Sequence, residues 1–194
     1  MSTCKATCNR APCAVAQALA AETWNIVAAE PADGRALYLG YVAPLAAIAP
    51  VCGAVGLQLF GASIAGIHLK PGLGATAIAA GLDYALGLLA VYLLALVVSA
   101  LAPAFGGEAS RGQALKLVAY SGTAIWLSGV FALYPTLGFP LAVLGGLYSF
   151  YAAYLGLGPL MRTAPERALS YFAAVLACAF AVGVLLRLAA ARVA

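Results

Sequence analysis

The sequence predicts an all-α polytopic membrane protein of about five transmembrane helices, with a tight hairpin between the third and the fourth. Three observations carry that prediction. Hydrophobic residues make up 65% of the chain and charged residues 8%, where a soluble domain carries roughly a quarter charged. No charged residue interrupts Leu117 to Met161, and at about 1.5 Å per residue one helix of that length would be about twice as long as the hydrocarbon core is thick. The ten Lys and Arg stand singly at the ends of apolar runs, as topology signals do, rather than in the clusters that bind nucleic acid, so no nucleic-acid partner is expected.

From Met1 to about Arg35 the chain is mixed in polarity, with Lys5, Arg10, Glu22, Glu30, Asp33 and Arg35. Residues 1–35 are read as an N-terminal cytoplasmic or interfacial segment and residues 36–190 as the five-helix transmembrane domain. Ala11 to Ala21 is short and broken by Gln17, so no cleaved signal peptide is expected. Val15, Leu19, Ile26 and Val27, with Trp24 beside them, suit one side of a helix lying in the membrane plane, its Trp at headgroup level. A frayed tail is the other reading of the first dozen residues.

The first span is expected from about Leu37 to Phe60 and, holding Pro44 and Pro50, to be kinked. His68, Lys70, Pro71, Gly72 and Gly74 mark a loop. The second span is expected from about Leu82 to Leu101, stopped by Pro103 and Gly106-Gly107, before a polar connection with Glu108, Arg111 and Lys116. The turn of the hairpin is written in Tyr134, Pro135, Thr136, Leu137, Gly138, Phe139 and Pro140. It separates a third span, about Lys116 to Leu133, from a fourth, about Pro140 to Leu157. Arg162, Pro165, Glu166 and Arg167 close the hairpin, and the fifth span covers about Ala168 to Leu186.

Five spans put the termini on opposite sides. Lys5, Arg10, Arg35, Arg111, Lys116, Arg162 and Arg167 fall on the N-terminal side, against Lys70, Arg187 and Arg192. The positive-inside rule then makes the N-terminus cytoplasmic and the C-terminus outward.

Little in the sequence suggests chemistry. Cys4, Cys8 and Cys13 match neither paired Cys-x-x-Cys zinc spacing nor an iron–sulfur run, so no metal site is expected. Cys52 and Cys178 inside spans are read as small apolar residues. One histidine and six scattered acids fall short of the equipment for acid–base catalysis. No enzyme activity and no cofactor are expected.

Two polar features remain as a possible intramembrane site. Asp83 lies near an apolar core, where a carboxylate is costly and by default functional. The competing reading makes it interfacial at the start of the second span, capping the helix or paired with Lys70. A relay between His68 and Asp83 is set aside, because a lone loop histidine is usually just solvated. Tyr148, Tyr151 and Tyr154 recur on one broad side of the fourth helix, and Tyr120, Ser121, Thr123 and Ser128 add hydroxyls to the third. They suit hydrogen bonding across the hairpin, or the lining of a substrate path.

Several runs resemble bacterial members of the Yip domain family, named for Ypt/Rab-interacting proteins. They begin with Trp24 to Pro31 (WNIVAAEP) and Leu37 to Ile48 (LYLGYVAPLAAI). Leu101 to Gly107, Gln113 to Ser121, Gly145 to Ser149 and Tyr154-Leu155-Gly156-Leu157 before Leu160-Met161 continue the pattern. The resemblance implies five spans and a cytoplasmic N-terminus; eukaryotic members act in vesicle traffic with Rab-type GTPases and often assemble with one another. The chain departs from the pattern in its Cys-bearing start and at Gly158-Pro159, where proline is expected directly after Gly-Leu. Arginine in excess of lysine, with abundant Ala, Gly and Leu, fits a GC-rich bacterium and hence its inner membrane.

Two functions are expected from this. The first is a noncatalytic membrane protein acting by association with other subunits or with itself: a scaffold, an assembly factor or an accessory subunit. The second is a small transporter or channel, working alone or as a homo-oligomer, with Asp83 and the tyrosine side of the fourth helix along its path.

Overall fold

Lipid offers the backbone no hydrogen-bond partners, so a chain this apolar must satisfy its N–H and C=O groups inside helices. The computed structural model describes residues 22–30, 33–64, 67–69 and 71–193. Helix α1 covers residues 22–29, α2 Gly34–Phe60, α3 Leu73–Phe105 and α4 Arg111–Leu133. α5 covers Pro135–Met161 and α6 Pro165–Val193. Helices α2 to α6 each contain a stretch long and apolar enough to cross a membrane, which bears out the five expected spans. The three N-terminal cysteines, Val15, Leu19 and Lys70 lie outside the described residues.

The helices run alternately up and down. Arg35, Arg111, Lys116, Arg162 and Arg167 therefore gather at one end of the bundle, here called the basic end. The opposite end carries the α4–α5 turn, the last turns of α6 and an unexpected two-stranded hairpin. In that hairpin β1 (Ala62–Ile64) pairs antiparallel with β2 (Ile67–Leu69), Ser63 opposite His68. This second end is called the hairpin end.

The sequence foretold the helices better than their limits. Proline 44 disturbs α2 as expected: a π turn over Tyr38–Val42 precedes it, and a further interruption at Ala47 precedes Pro50. Helix α3 starts at Leu73, not Leu82, so Gly74 belongs to the helix rather than to the loop. Its first turn is fixed by Thr76, whose hydroxyl donates to the Gly72 carbonyl (3.2 Å) and accepts from Gln58 Nε2 of α2 (2.6 Å). The expected seven-residue turn shrinks to an extended Tyr134 (φ −111°, ψ 107°), because Pro135 serves as the first helical residue of α5. Pro140 and Pro159 both lie inside α5, which runs on past Gly158-Pro159 to Met161.

The buried core sits at the basic end. Val98, Ala102, Leu117, Leu157, Leu160, Met161 and Tyr171 form it, with Trp24 of α1 packed among them. Trp24, expected at headgroup level, is only 9% exposed and lies over Gly156, where an added Cβ would come within 3.0 Å of its ring. A smaller cluster of Val42, Val91 and Ala119 continues toward the middle. Beyond it the helices touch through small residues. A Cβ on Gly56 would stand 2.7 Å from the carbonyl oxygens of Ala132 and Leu133, and one on Gly129 2.8 Å from Ala49 Cα. On Gly145 it would stand 2.8 Å from Ser128 Cβ.

Candidate functional site

Asp83 lies about ten residues inside α3, and its carboxylate meets Arg187 of α6 at 2.8 Å. The helices are antiparallel, so a residue early in α3 faces one late in α6. Arg167 and Arg187 are about 20 residues apart on α6, ~30 Å along the axis, which is about the thickness of the hydrocarbon core. If Arg167 marks one boundary, the Asp83–Arg187 pair marks the other. Side-chain exposures of 42% for Asp83 and 77% for Arg187 let both heads reach toward headgroup water. Among the described residues the partner of Asp83 is Arg187, a residue whose sequence signal was topological alone, and Lys70 lies outside the described residues. Beside the pair, Pro50, Gly87, Trp126 and Gly183 line a recess of about 260 Å³.

Tyr148, Tyr151 and Tyr154 do not join Asp83. They stand on the outer surface of α5, 63%, 47% and 38% exposed, and Tyr154 meets Phe172 of α6 edge-on at 5.5 Å between ring centres. The hydroxyls of α4 mostly turn back onto their own helix: Ser121 donates to Val118 O and Ser128 to Ile125 O. Thr123 does the same, donating to Tyr120 O at 2.9 Å, and its oxygen also meets the Tyr41 hydroxyl of α2 at 2.7 Å. Among the described residues the side-chain bond that crosses the α4–α5 hairpin is made by Ser149, which accepts from the Ile125 N–H.

The densest polar assembly is one that sequence reasoning passed over. Lys116, read as a topology charge, is 3% exposed, and its ammonium donates to the carbonyls of Val27 (2.8 Å) and Glu30 (2.7 Å). One turn earlier on α4, Gln113 Nε2 donates to Ala28 O at 2.9 Å. These carbonyls lie at the C-terminus of α1 and just beyond it, the end of a helix that leaves carbonyls free and attracts a cation. Lys116 and Gln113 thus clamp α1 across the basic end, with Trp24 inserted beneath. The i, i+3 spacing of Gln113 and Lys116 in the first turns of α4 was the available signal.

The sequence model of the Yip1 domain matches residues 20–186. The chain belongs to the Yip1 domain family. Neither a curated protein nor a solved structure matches it. Within this Yip1 domain the match takes in the whole α1 clamp: Trp24, Gln113, Lys116 and Gly156. It also takes in Asp83 but stops one residue short of its partner Arg187. The clamp therefore belongs to the domain proper, whereas one half of the ion pair lies just beyond the matched stretch.

Proposed function

We propose that this Yip1 domain works by association within a bacterial inner membrane, as a noncatalytic scaffold, assembly factor or accessory subunit, with its basic end and N-terminus in the cytoplasm. The orientation rests on the positive-inside rule. The association rests on Tyr148. That residue stands at the middle of α5, faces outward, and its hydroxyl has no hydrogen-bond partner among the described residues. An unpaired hydroxyl at mid-membrane is costly, and tyrosine ordinarily sits at the interfaces instead. A neighbouring helix, from another subunit or a second copy, supplies the missing partner, and Tyr151 and Tyr154 extend the same face.

The test is extraction from native membranes in mild detergent, followed by size determination and mass spectrometry of what co-purifies. A stoichiometric assembly that weakens in Tyr148→Phe supports the proposal and names the partner. A bare monomer, or an assembly indifferent to that substitution, defeats it.

The recess beside Asp83 and Arg187 favours a second reading, a small transporter with the ion pair at its mouth. Reconstituted vesicles decide it: flux of ions or small solutes lost in Asp83→Asn supports transport, and no flux in the native protein removes it.

A further inference from the structure

At the basic end α2, α3 and α4 enclose a groove of about 600 Å³, within the size range of ligand sites. Tyr38, Leu39, Tyr92, Leu96 and Leu115 form its apolar walls. Leu39 and Tyr92 are 60% and 51% exposed, so the groove opens sideways to surrounding lipid, while the Tyr38 hydroxyl is tied to Leu88 O at 2.7 Å and holds its wall in place.

Arg35 and Arg111 line the same groove, each in the first turn of its helix. Neither guanidinium makes an ion pair among the described residues. The nearby acids are engaged or set apart. Asp33 Oδ1 accepts the backbone N–H of Arg35 and Ala36, both at 3.2 Å; Glu108 pairs with Arg162; and Glu30 lines a neighbouring recess with Lys116.

Two unpaired guanidinium groups above an apolar slot match an amphiphile with a negative head and a hydrocarbon tail. Arginine is the side chain whose planar fork suits phosphate, and basic pockets between transmembrane helices suit anionic headgroups. A soluble phosphate would leave the apolar walls without a partner. We propose that this groove binds an anionic phospholipid from the leaflet at the basic end, its phosphate held by Arg35 and Arg111 and one acyl chain lying along Leu39, Tyr92 and Leu96. The proposal is independent of which side of the membrane that end faces and of any protein partner.

Native mass spectrometry of the full chain in detergent tests it, by titration with phosphatidylglycerol and phosphatidylcholine of identical chains. The native protein is expected to prefer phosphatidylglycerol by ~10- to ~30-fold, from about 1 kcal/mol per arginine. R35Q/R111Q is expected to lose that preference. R162Q/R167Q, which removes two charges from the same end but outside the groove, is expected to keep it. Loss in both double variants means diffuse attraction rather than a site, and retention in R35Q/R111Q removes the site outright; either overturns the proposal. Displacement of phosphatidylglycerol by glycerol 1-phosphate would show that the headgroup alone suffices, and overturns the lipid assignment. Should R35Q/R111Q not fold, photoactivatable phosphatidylglycerol on the native protein decides: crosslinks to the α2 and α3 walls support the groove, and crosslinks confined to α5 and α6 refute it.

Discussion

The two ends of the bundle are held together differently. At the basic end large side chains interlock, Tyr171 with Phe105 at 5.3 Å between ring centres and Trp24 over Gly156, and a buried ammonium ties α1 to α4. Toward the hairpin end the helices meet backbone to backbone through Gly56, Gly129 and Gly145, while Phe60, Leu73, Phe139 and Phe180 point outward. Lipid is as apolar as leucine, so burying leucine from lipid gains little, and membrane helices are held by fit and by polar bonds. The basic end uses both, and the other end relies mostly on fit. A lost polar bond should therefore be felt most at the basic end, and an added methyl group most toward the hairpin end.

The largest effect is expected for Lys116→Met, which keeps the bulk of the stem but removes two charge-assisted bonds to the carbonyls of Val27 and Glu30. At about 1.5–3 kcal/mol each, the loss is several kcal/mol, more than α1 can withstand by packing alone. Hydrogen exchange over residues 22–30 should rise sharply while α5 and α6 keep their protection. Uniform loosening of all helices would mean that the clamp holds the whole bundle rather than α1.

Next in size is Gly56→Ala, whose methyl meets two carbonyl oxygens at 2.7 Å. Backbone cannot swing aside as a side chain can, so a cost of about 1–3 kcal/mol is expected from overpacking. Gly183→Ala on α6, with nothing within 4 Å, should instead stabilise by up to ~1 kcal/mol through helix propensity. Thermal unfolding in one detergent measures both, and shifts of the same sign would contradict the close-packed picture of the hairpin end.

That contrast also explains what could be read from the sequence. Span number and order were legible because they depend on the length of uncharged runs, a property of the chain itself. The start of α3 was not, since Leu73 to Leu82 is apolar enough for a helix and its first turn is decided by Gln58 from another element. Asp83 and the tyrosines were picked out by residue type, but type says nothing of direction: Tyr148, Tyr151 and Tyr154 face outward and Asp83 finds Arg187. Lys116 was missed for the opposite reason. Its position at the start of a span looks like a topology signal, and the carbonyls that bury it lie some 86 to 89 residues away in sequence.

A smaller effect is expected for Tyr171→Phe. The ring is fully buried and the lost bond to the Val98 carbonyl joins α6 to α3, for about 1 kcal/mol. The carbonyl keeps its place within the α3 helix, so no orphan is created. A loss equal to that of Lys116→Met would indicate that the hydroxyl, not the clamp, is the principal polar tie of the basic end.

The smallest effect belongs to the surface ion pairs, and it sharpens the comparison most. Arg162–Glu108 at the basic end (3.0 Å) and Arg187–Asp83 near the hairpin end (2.8 Å) have similar lengths, with side chains 72% and 66% exposed in the first and 77% and 42% in the second. In water an exposed pair is worth up to about 1 kcal/mol. Glu108→Gln should therefore shift the unfolding temperature little, and added salt should shrink the shift further. If the Asp83–Arg187 pair sits at the second boundary, as the 20-residue spacing along α6 places it once Arg167 marks the first, Asp83→Asn behaves the same way. A pair held deeper in hydrocarbon would answer differently: neutralising one partner would leave an uncompensated cation in lipid, with a loss of several kcal/mol that salt does not touch. Parallel salt titrations of the two variants thus locate the second boundary of the membrane on this bundle, and with it how much of α3 and the β-hairpin stands outside.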